Sequence, residues 1–279
     1  MIGNGKSTAI CVGGKVLPRF LMKFRQAPLM FAVKTCAAVI PCLNERAEIA
    51  ALVAALRQQL PQVLVVDDGS ADDTAARARD AGAMVLHHKR NLGKGAALRT
   101  GLSQARSLGF DWAVTLDGDG QHAPWDLPVF LQRAGQTGAR LIIGNRMHQA
   151  QAIPWLRRQV NGWMSRQLSR RAGCHLPDTQ CGFRLIHLET WAGLSLSTEH
   201  FEIESETLMA FLAARHPVEF VPIQAIGRSR RSHIRPVADS LRWWKWWREL
   251  NRAEGSPARA DSPVHITLPT AAQAPAPPC

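Results

Sequence analysis

Between residues 36 and 143 the chain alternates short aliphatic runs with longer stretches whose apolar positions recur every three or four residues. The runs at 36–40, 63–66, 84–87, 112–116 and 140–143 predict strands, and the stretches at 45–59, 72–81, 94–108 and 124–137 predict helices. Asn44 is placed to cap the first helix, Pro61 lies just past its end, and Gly82 closes the second. Aliphatic strands without a polar face, separated by amphipathic helices, predict an α/β fold whose mostly parallel sheet is covered on both sides. Ligands of such sheets bind outside the carboxyl ends of the strands. Polar clusters stand at those ends here: Asn44-Glu45, Asp67-Asp68-Gly69-Ser70, Asn91 to Gly95, Asp117 to His122 and Gly144-Asn145-Arg146.

The densest cluster, Asp117-Gly118-Asp119-Gly120-Gln121-His122, sets two carboxylates two positions apart at the exit of the fourth strand. Hard divalent cations take oxygen ligands, and magnesium is commonly held by one or two carboxylates together with substrate phosphates. The glycines at 118 and 120 allow backbone to approach a bulky ligand. Aspartate–glycine runs are also ordinary turns, so the neighbouring clusters decide between the two.

Those neighbours carry a specific resemblance. Pro41-Cys42-Leu43-Asn44-Glu45, Val66-Asp67-Asp68-Gly69-Ser70, Asn91-Leu92-Gly93-Lys94-Gly95, the Asp117–Gln121 run, Gly144-Asn145-Arg146 and Asp178-Thr179-Gln180-Cys181-Gly182-Phe183-Arg184 follow one another in a fixed order. In that order and spacing the chain resembles a family 2 glycosyltransferase with the GT-A, Rossmann-like fold, in the dolichol-phosphate mannose synthase-like, or polyprenyl-phosphate glycosyltransferase, branch. The match runs over about residues 36–247. It implies inverting transfer of a sugar from a UDP- or GDP-sugar to a lipid acceptor, foremost polyprenyl phosphate, assisted by Mg2+ or Mn2+.

By the same resemblance Pro41, Asn44, Glu45, Asp67 and Asp68 line the nucleotide pocket, with Gly118 beside them, and Lys94 helps neutralise the donor diphosphate from a helix start. Asp117, Asp119 and Gln121 form the metal set. Arg146 meets the acceptor phosphate, with Arg157, Arg158 and Arg184 as further acceptor contacts, since the planar guanidinium suits phosphate. Asp178, Glu202, Glu204 and Glu206 are candidate carboxylates on the acceptor side, able to act as a base if the acceptor is a hydroxyl. A solvated helix face is the competing reading of Arg157-Arg158, and an acid-rich helix start that of the three glutamates. Residues 228–236 resemble a donor-clasping loop, although Ile226 and His233 depart from the branch's usual Tyr and Lys there. Gly118, where alanine is common, is expected to be harmless.

The flanks differ from this middle. Residues 1–35 hold six Lys/Arg and no acid, residues 36–227 hold 19 basic against 18 acidic residues, and residues 228–252 hold eight against two, within a net charge of +12. The basic excess therefore lies outside the predicted fold. In residues 241–250 four tryptophans and two leucines form a broad apolar arc opposite Arg242, Lys245 and Glu249. A basic, Trp-rich amphipathic helix suits an anionic membrane surface; packing on the protein's own core is the alternative. Residues 17–25 are similar but less regular. The expected organisation is a basic extension over 1–34, a catalytic domain over 35–236, the Trp-rich helix over 237–252 and a disordered Pro/Ala-rich tail over 253–279.

No uncharged run approaches the roughly 20 residues that span a bilayer, and no signal peptide is expected. The six cysteines lack Cys-x-x-Cys spacing and are read as free thiols. Gly3-Asn4-Gly5-Lys6-Ser7-Thr8 lacks the first glycine and the preceding strand of a phosphate-binding loop, and His87-His88 is read as a solvated strand end. The expectation is a peripheral enzyme on the inner face of the cytoplasmic membrane. A nucleotidyltransferase would show a glycine-rich Arg/Lys signature after the first strand, which is absent. A nucleic-acid-binding role is disfavoured by the neutral middle.

Overall fold

A computed structural model describes residues 35–152, 154–226 and 236–253. The first aliphatic run stays buried throughout its length as β1 (Cys36–Cys42). The runs that follow become β2 (Gln62–Asp67), β3 (Met84–His87) and β4 (Trp112–Thr115), each parallel to its neighbour. Helices α1 (Ile49–Arg57), α2 (Thr74–Asp80) and α3 (Lys94–Ser107) make the crossovers. Beyond β4 come α4 (Leu127–Thr137), β5 (Leu141–Asn145), α5 (Trp155–Ala172), β6 (Arg184–His187), α6 (Leu188–Ala192), α7 (Ile203–Ala213), β7 (Val218–Pro222) and α8 (Pro236–Ala253). The seven strands form one sheet in the order β3-β2-β1-β4-β6-β5-β7. Only β6 runs against its neighbours, so the sheet is mostly parallel, as the aliphatic pattern predicted.

Helix α3 lies against β1 and β2 at Gly101, where an added Cβ would run into the Val39 and Val66 side chains. Phe130 of α4 stacks on Phe183 with ring centroids 4.3 Å apart, fixing the loop before β6 to the other side of the sheet. The buried Glu219 of β7 is held by Arg133 of α4 at 3.0 Å.

Two local expectations are corrected. Asn44 does not cap α1: it takes a left-handed conformation (φ 56°), which asparagine tolerates. It ties two loops together, donating from N to Ser70 Oγ (2.9 Å) and accepting from Ala71 N (2.8 Å). Helix α1 accordingly starts at Ile49, four residues later than the periodicity suggested.

The Trp-rich helix is the second correction. Trp243 is 2% exposed, stacks on Trp247 and donates its indole N–H to Ser205 Oγ at 2.9 Å. Trp246 and Trp247 also pack on the core, so half of the six-residue apolar arc faces the protein's own interior. Leu241 and Trp244 remain outside. Residues 1–34, the donor-clasping segment 227–235 and the tail 254–279 lie outside the described residues. Among the described residues, no helix is long and apolar enough to cross a membrane, and Cys36, Cys42, Cys174 and Cys181 are free thiols.

Candidate active site

The carboxyl ends of β1 to β4 bring the first four polar clusters to one edge. Beneath them, Asp68 organises the 91–95 turn. Its carboxylate accepts from Leu92 N (2.9 Å) and Gly93 N (2.8 Å) and meets His88 Nδ1 at 2.7 Å. Asp67, 1% exposed, accepts from Ser70 N at 3.0 Å and lies 2.8 Å from His87 Nδ1. His87, the last residue of β3 with its side chain 54% exposed, is a solvated strand end as read from the sequence, whereas His88 is mostly buried. His87 stands in register beside Asp67, and His88 reaches on to Thr100 Oγ1 at 3.0 Å. The signal was available in the sequence: both strands end in polar pairs, and parallel pairing sets them side by side.

Gly118 lets the Pro41–Glu45 loop lie directly on the Asp117–Gln121 turn. A Cβ at 118 would stand 2.6 Å from Cys42 Sγ and 3.3 Å from Glu45 Cγ. The glycine suits Cys42 here, since the alanine common at this position would meet its sulfur. Burial, reinforced by Glu45, Asp67, Asp117 and Asp119, pushes the Cys42 thiol far up, so it stays protonated.

Asp117 and Asp119 differ in surroundings. Asp117 Oδ1 is 2.5 Å from Lys94 Nζ, Oδ2 is 3.3 Å from His122 Nε2, and Gly182 packs so closely that a Cβ would lie 2.6 Å from Oδ1. Burial raises the Asp117 carboxyl, but Lys94 and His122 outweigh it and hold it well below the usual carboxylate range. Asp119 is raised, first by burial and then by the charge of Asp117, and one of its oxygens accepts from Gln121 N at 3.0 Å. One carboxylate is thus compensated and its neighbour is short of positive charge, a combination suited to a further cation.

Lys94 does more than the sequence suggested. Besides Asp117, it lies 2.5 Å from Glu204 Oε1 and 5.3 Å from the Phe201 ring centroid. Burial lowers its pKa, but the two carboxylates raise it further, so the amine is fully charged. The Glu204 contact is an ion pair out of hydrogen-bonding alignment, and Oε2 has no partner among the described residues.

The three glutamates sit on a helical start, not an extended segment, and so point apart. Glu204 joins the Lys94–Asp117 cluster. Glu202 faces Arg242 of α8 at 3.6 Å. Glu206 is occupied by the 197–198 backbone and hydroxyls, accepting from Ser197 N (2.9 Å) and Thr198 N (3.0 Å). The structure brings Glu204 alone of the three to the metal-set residues.

Across the edge, the end of β5 presents Arg146. Its Nε and Nη2 donate to the two Asp178 oxygens at 2.8 and 2.9 Å, and its backbone N adds a third bond at 3.1 Å. Burial raises Asp178, but Arg146 overcomes it and lowers the carboxyl. Asp178 positions the arginine and has no oxygen left over for a base's work. Arg184 is likewise corrected as an acceptor contact: buried at 3% exposure, it donates to the carbonyls of Cys181 (2.8 Å), Glu204 (2.6 Å) and Thr179 (2.9 Å). It fixes the acceptor-side loop from below. Arg157 of α5 turns toward the site. Burial and then the neighbouring Arg146 lower its pKa, while Asp117, Asp119 and Asp178 oppose that shift. Arg158 is half-buried on the same helix.

Residues 37–190 match a family model described as Glycosyl transferase family 2. The chain is 30% identical to the polyprenol monophosphomannose synthase of Mycolicibacterium smegmatis over 78% of its own length and 89% of the relative's. It is 28% identical to the UDP-N-acetylglucosamine–dolichyl-phosphate N-acetylglucosaminyltransferase of Methanococcus voltae, covering 67% and 84% of the two chains. Among solved structures, glucosyl-3-phosphoglycerate synthase from Mycobacterium tuberculosis, in complex with Mn2+, UDP-glucose and phosphoglyceric acid, superposes with a TM-score of 0.64 at 21% identity. That match covers 82% of this chain and 84% of the other.

Proposed function

The chain belongs to glycosyl transferase family 2, a glycosyltransferase of the GT-A fold, and from that premise we propose that it moves a sugar from a UDP- or GDP-sugar to a polyprenyl phosphate, with inversion at the anomeric carbon, at the cytoplasmic leaflet. The observation that carries this reading is the pairing of two charged clusters on one sheet edge. Asp117, Asp119, Lys94 and Glu204 form the first, and Arg146, Asp178 and Arg157 the second. The relatives named for polyprenol and dolichyl-phosphate transfer support the acceptor assignment.

The first cluster fits a hard divalent cation. No group of three or more His, Cys, Asp or Glu capable of holding a metal occurs among the described residues. Asp117 and Asp119 with the Gln121 amide make a partial oxygen set, of the kind that substrate phosphates complete. When bound, Mg2+ or Mn2+ neutralises charge on the departing diphosphate. Lys94, already within the cluster, adds a fixed positive charge at the start of α3, where backbone N–H groups also favour anions. Glu45 and the exposed Asn44 are placed to meet base N–H groups and ribose hydroxyls, over a floor that the buried Asp67 fixes through Ser70 and His87.

On the other side Arg146 is locked by Asp178, and Arg157 stands beside it. Two adjacent guanidiniums hold an anionic phosphate in line with the anomeric carbon. A phosphate acceptor is already deprotonated near neutral pH, so its oxygen attacks without a general base. Glu204 then serves to hold Lys94 against Asp117.

The test is radiolabelled transfer from a panel of UDP- and GDP-sugars into polyprenyl phosphate with Mn2+ present. One base class is expected to support transfer, chelation to stop it, and Asp119→Ala to reduce it by about 10²-fold or more. Failure of every donor, or full activity in Asp119→Ala, overturns the reading.

A further inference from the structure

Helices α5 and α8 lie side by side and run in the same direction. Trp163 meets Trp243 with ring centroids 5.4 Å apart, and eight residues further along Arg171 bonds Asn251 and the Leu250 carbonyl. With Trp243, Trp246 and Trp247 turned inward, the outward faces of this pair become a surface of their own. At its amino-terminal end stand Trp155 (66% exposed), Leu156 (60%), Trp163 (41%), Leu241 (61%) and Trp244 (45%). Toward its carboxyl-terminal end the exposed charges are Arg166 and Arg170 on α5 and Lys245, Arg248 and Arg252 on α8, against the single carboxylate of Glu249. Arg248 also lies over the Trp244 ring, 4.5 Å from its centroid.

We propose that this two-helix face is the surface by which the protein seats itself on an anionic bilayer, Trp155, Leu156, Leu241 and Trp244 entering the headgroup–acyl boundary and the five cations resting on the lipid phosphates. Exposed tryptophan and leucine grouped at one end suit that boundary, and five positive charges against one negative complement an anionic leaflet. A soluble monomer rarely leaves so many large apolar side chains in one exposed group.

The face also adjoins the acceptor side of the active site. Trp155 and Leu156 immediately precede Arg157, which shares the electrostatic field of Arg146 and Asp178. One turn of α5 therefore places apolar anchors and an acceptor-side arginine next to each other, so a phosphate at the membrane surface is presented to the cluster that binds it. The proposal rests on the lipid-acceptor reading above and goes beyond it by assigning the docking residues.

The experiment is co-sedimentation of the full chain with phosphatidylglycerol/phosphatidylcholine vesicles at low and high salt, alongside vesicles of phosphatidylcholine alone. The wild type is expected to bind the anionic vesicles in a salt-sensitive way. Trp155→Ser/Leu156→Ser and Lys245→Glu/Arg248→Glu should each weaken binding by about tenfold or more, the second also removing the preference for anionic lipid. Transfer to a short-chain polyprenyl phosphate in detergent should match wild type in both variants. Lipids with brominated acyl chains should quench wild-type tryptophan emission, a readout that needs no variant. No binding to anionic vesicles, equal binding by wild type and variants, absence of quenching, or a wild-type dimer that the substitutions make monomeric would each overturn the proposal. Loss of short-chain transfer in the wild type would instead sink the acceptor reading and leave the docking result standing.

Discussion

Cys42 and Gly118 lie against each other beside the proposed nucleotide site, and each limits what the other can be. The gap between an added methyl at 118 and Cys42 Sγ is 2.6 Å, about an ångström short of an ordinary van der Waals contact. Cys42 is 3% exposed on β1, so an added methyl at 118 meets a packed sulfur and strains the turn carrying Asp117 and Asp119. Gly118→Ala is therefore expected to weaken Mn2+-dependent nucleotide binding by tenfold or more in calorimetry. Cys42→Ala alone, which removes only a protonated thiol, should leave binding nearly unchanged. The double variant should recover most of the loss, giving a coupling of about 1–3 kcal/mol. Additive effects would show that the two side chains do not share the space. The same scale explains Arg184: its place in the acceptor-side loop suggested a phosphate contact, yet three carbonyls take its fork. A sequence shows the donor types a residue carries, and the fold decides which acceptors reach them first.

At the level of elements, the parallel half of the sheet was legible because β1, β2 and β4 are almost wholly aliphatic and end abruptly in polar clusters. Strands β6 and β7 were not. Arg184 and His187 bracket the first and Glu219 interrupts the second, and Arg184 and Glu219 are buried only because loop carbonyls and Arg133 satisfy them. The Asp117–Asp119 pair at a strand exit was legible from its spacing. The division of labour among Glu202, Glu204 and Glu206 was not, since it depends on whether residues 202–206 are helical. Helix α8 shows the same limit. Periodicity reveals that an apolar arc exists and is silent on what covers it. The structure separates two adjacent tryptophans: Trp243 is 2% exposed and bonded to Ser205, while Trp244 is 45% exposed under Arg248. Trp243→Ala should cost about 3–5 kcal/mol in urea unfolding, whereas Trp244→Ala should stay within about 0.5 kcal/mol. Equal costs would mean that α8 does not use Trp243 as its anchor.

Across the whole molecule, the parallel half that ends in the Asp67–Asp68 and Asp117–Asp119 clusters meets the mixed half that ends in Arg146 along the β4–β6 seam, and Lys94 spans that junction. Its amine lies 2.5 Å from Asp117 on the β4 side and 2.5 Å from Glu204 on the α7 side. Before any metal arrives it is the cation that offsets these buried carboxylates. Replacing it with methionine keeps the stem and removes the charge, leaving two acids without the cation that touches both, with His122 against Asp117 and Arg184 in the field of the pair. Breaking a buried pair in this way costs about 3–5 kcal/mol, so Lys94→Met should unfold at a lower temperature than wild type without metal. Mn2+ should then stabilise the variant more than it stabilises the wild type, because the ion supplies the missing charge and no longer meets the repulsion of the ammonium. The comparison uses Mn2+ alone, since Lys94 is also assigned to the diphosphate and a nucleotide would mix the two effects. Thermal unfolding of both proteins over a Mn2+ titration decides it, the gain following the ratio of free ion to its dissociation constant. An equal Mn2+ response in both would show that Lys94 and the metal do not act on a common charge cluster. It would also remove the link by which occupation of the donor side is felt at Glu204 and the acceptor-side loop that Arg184 holds against it.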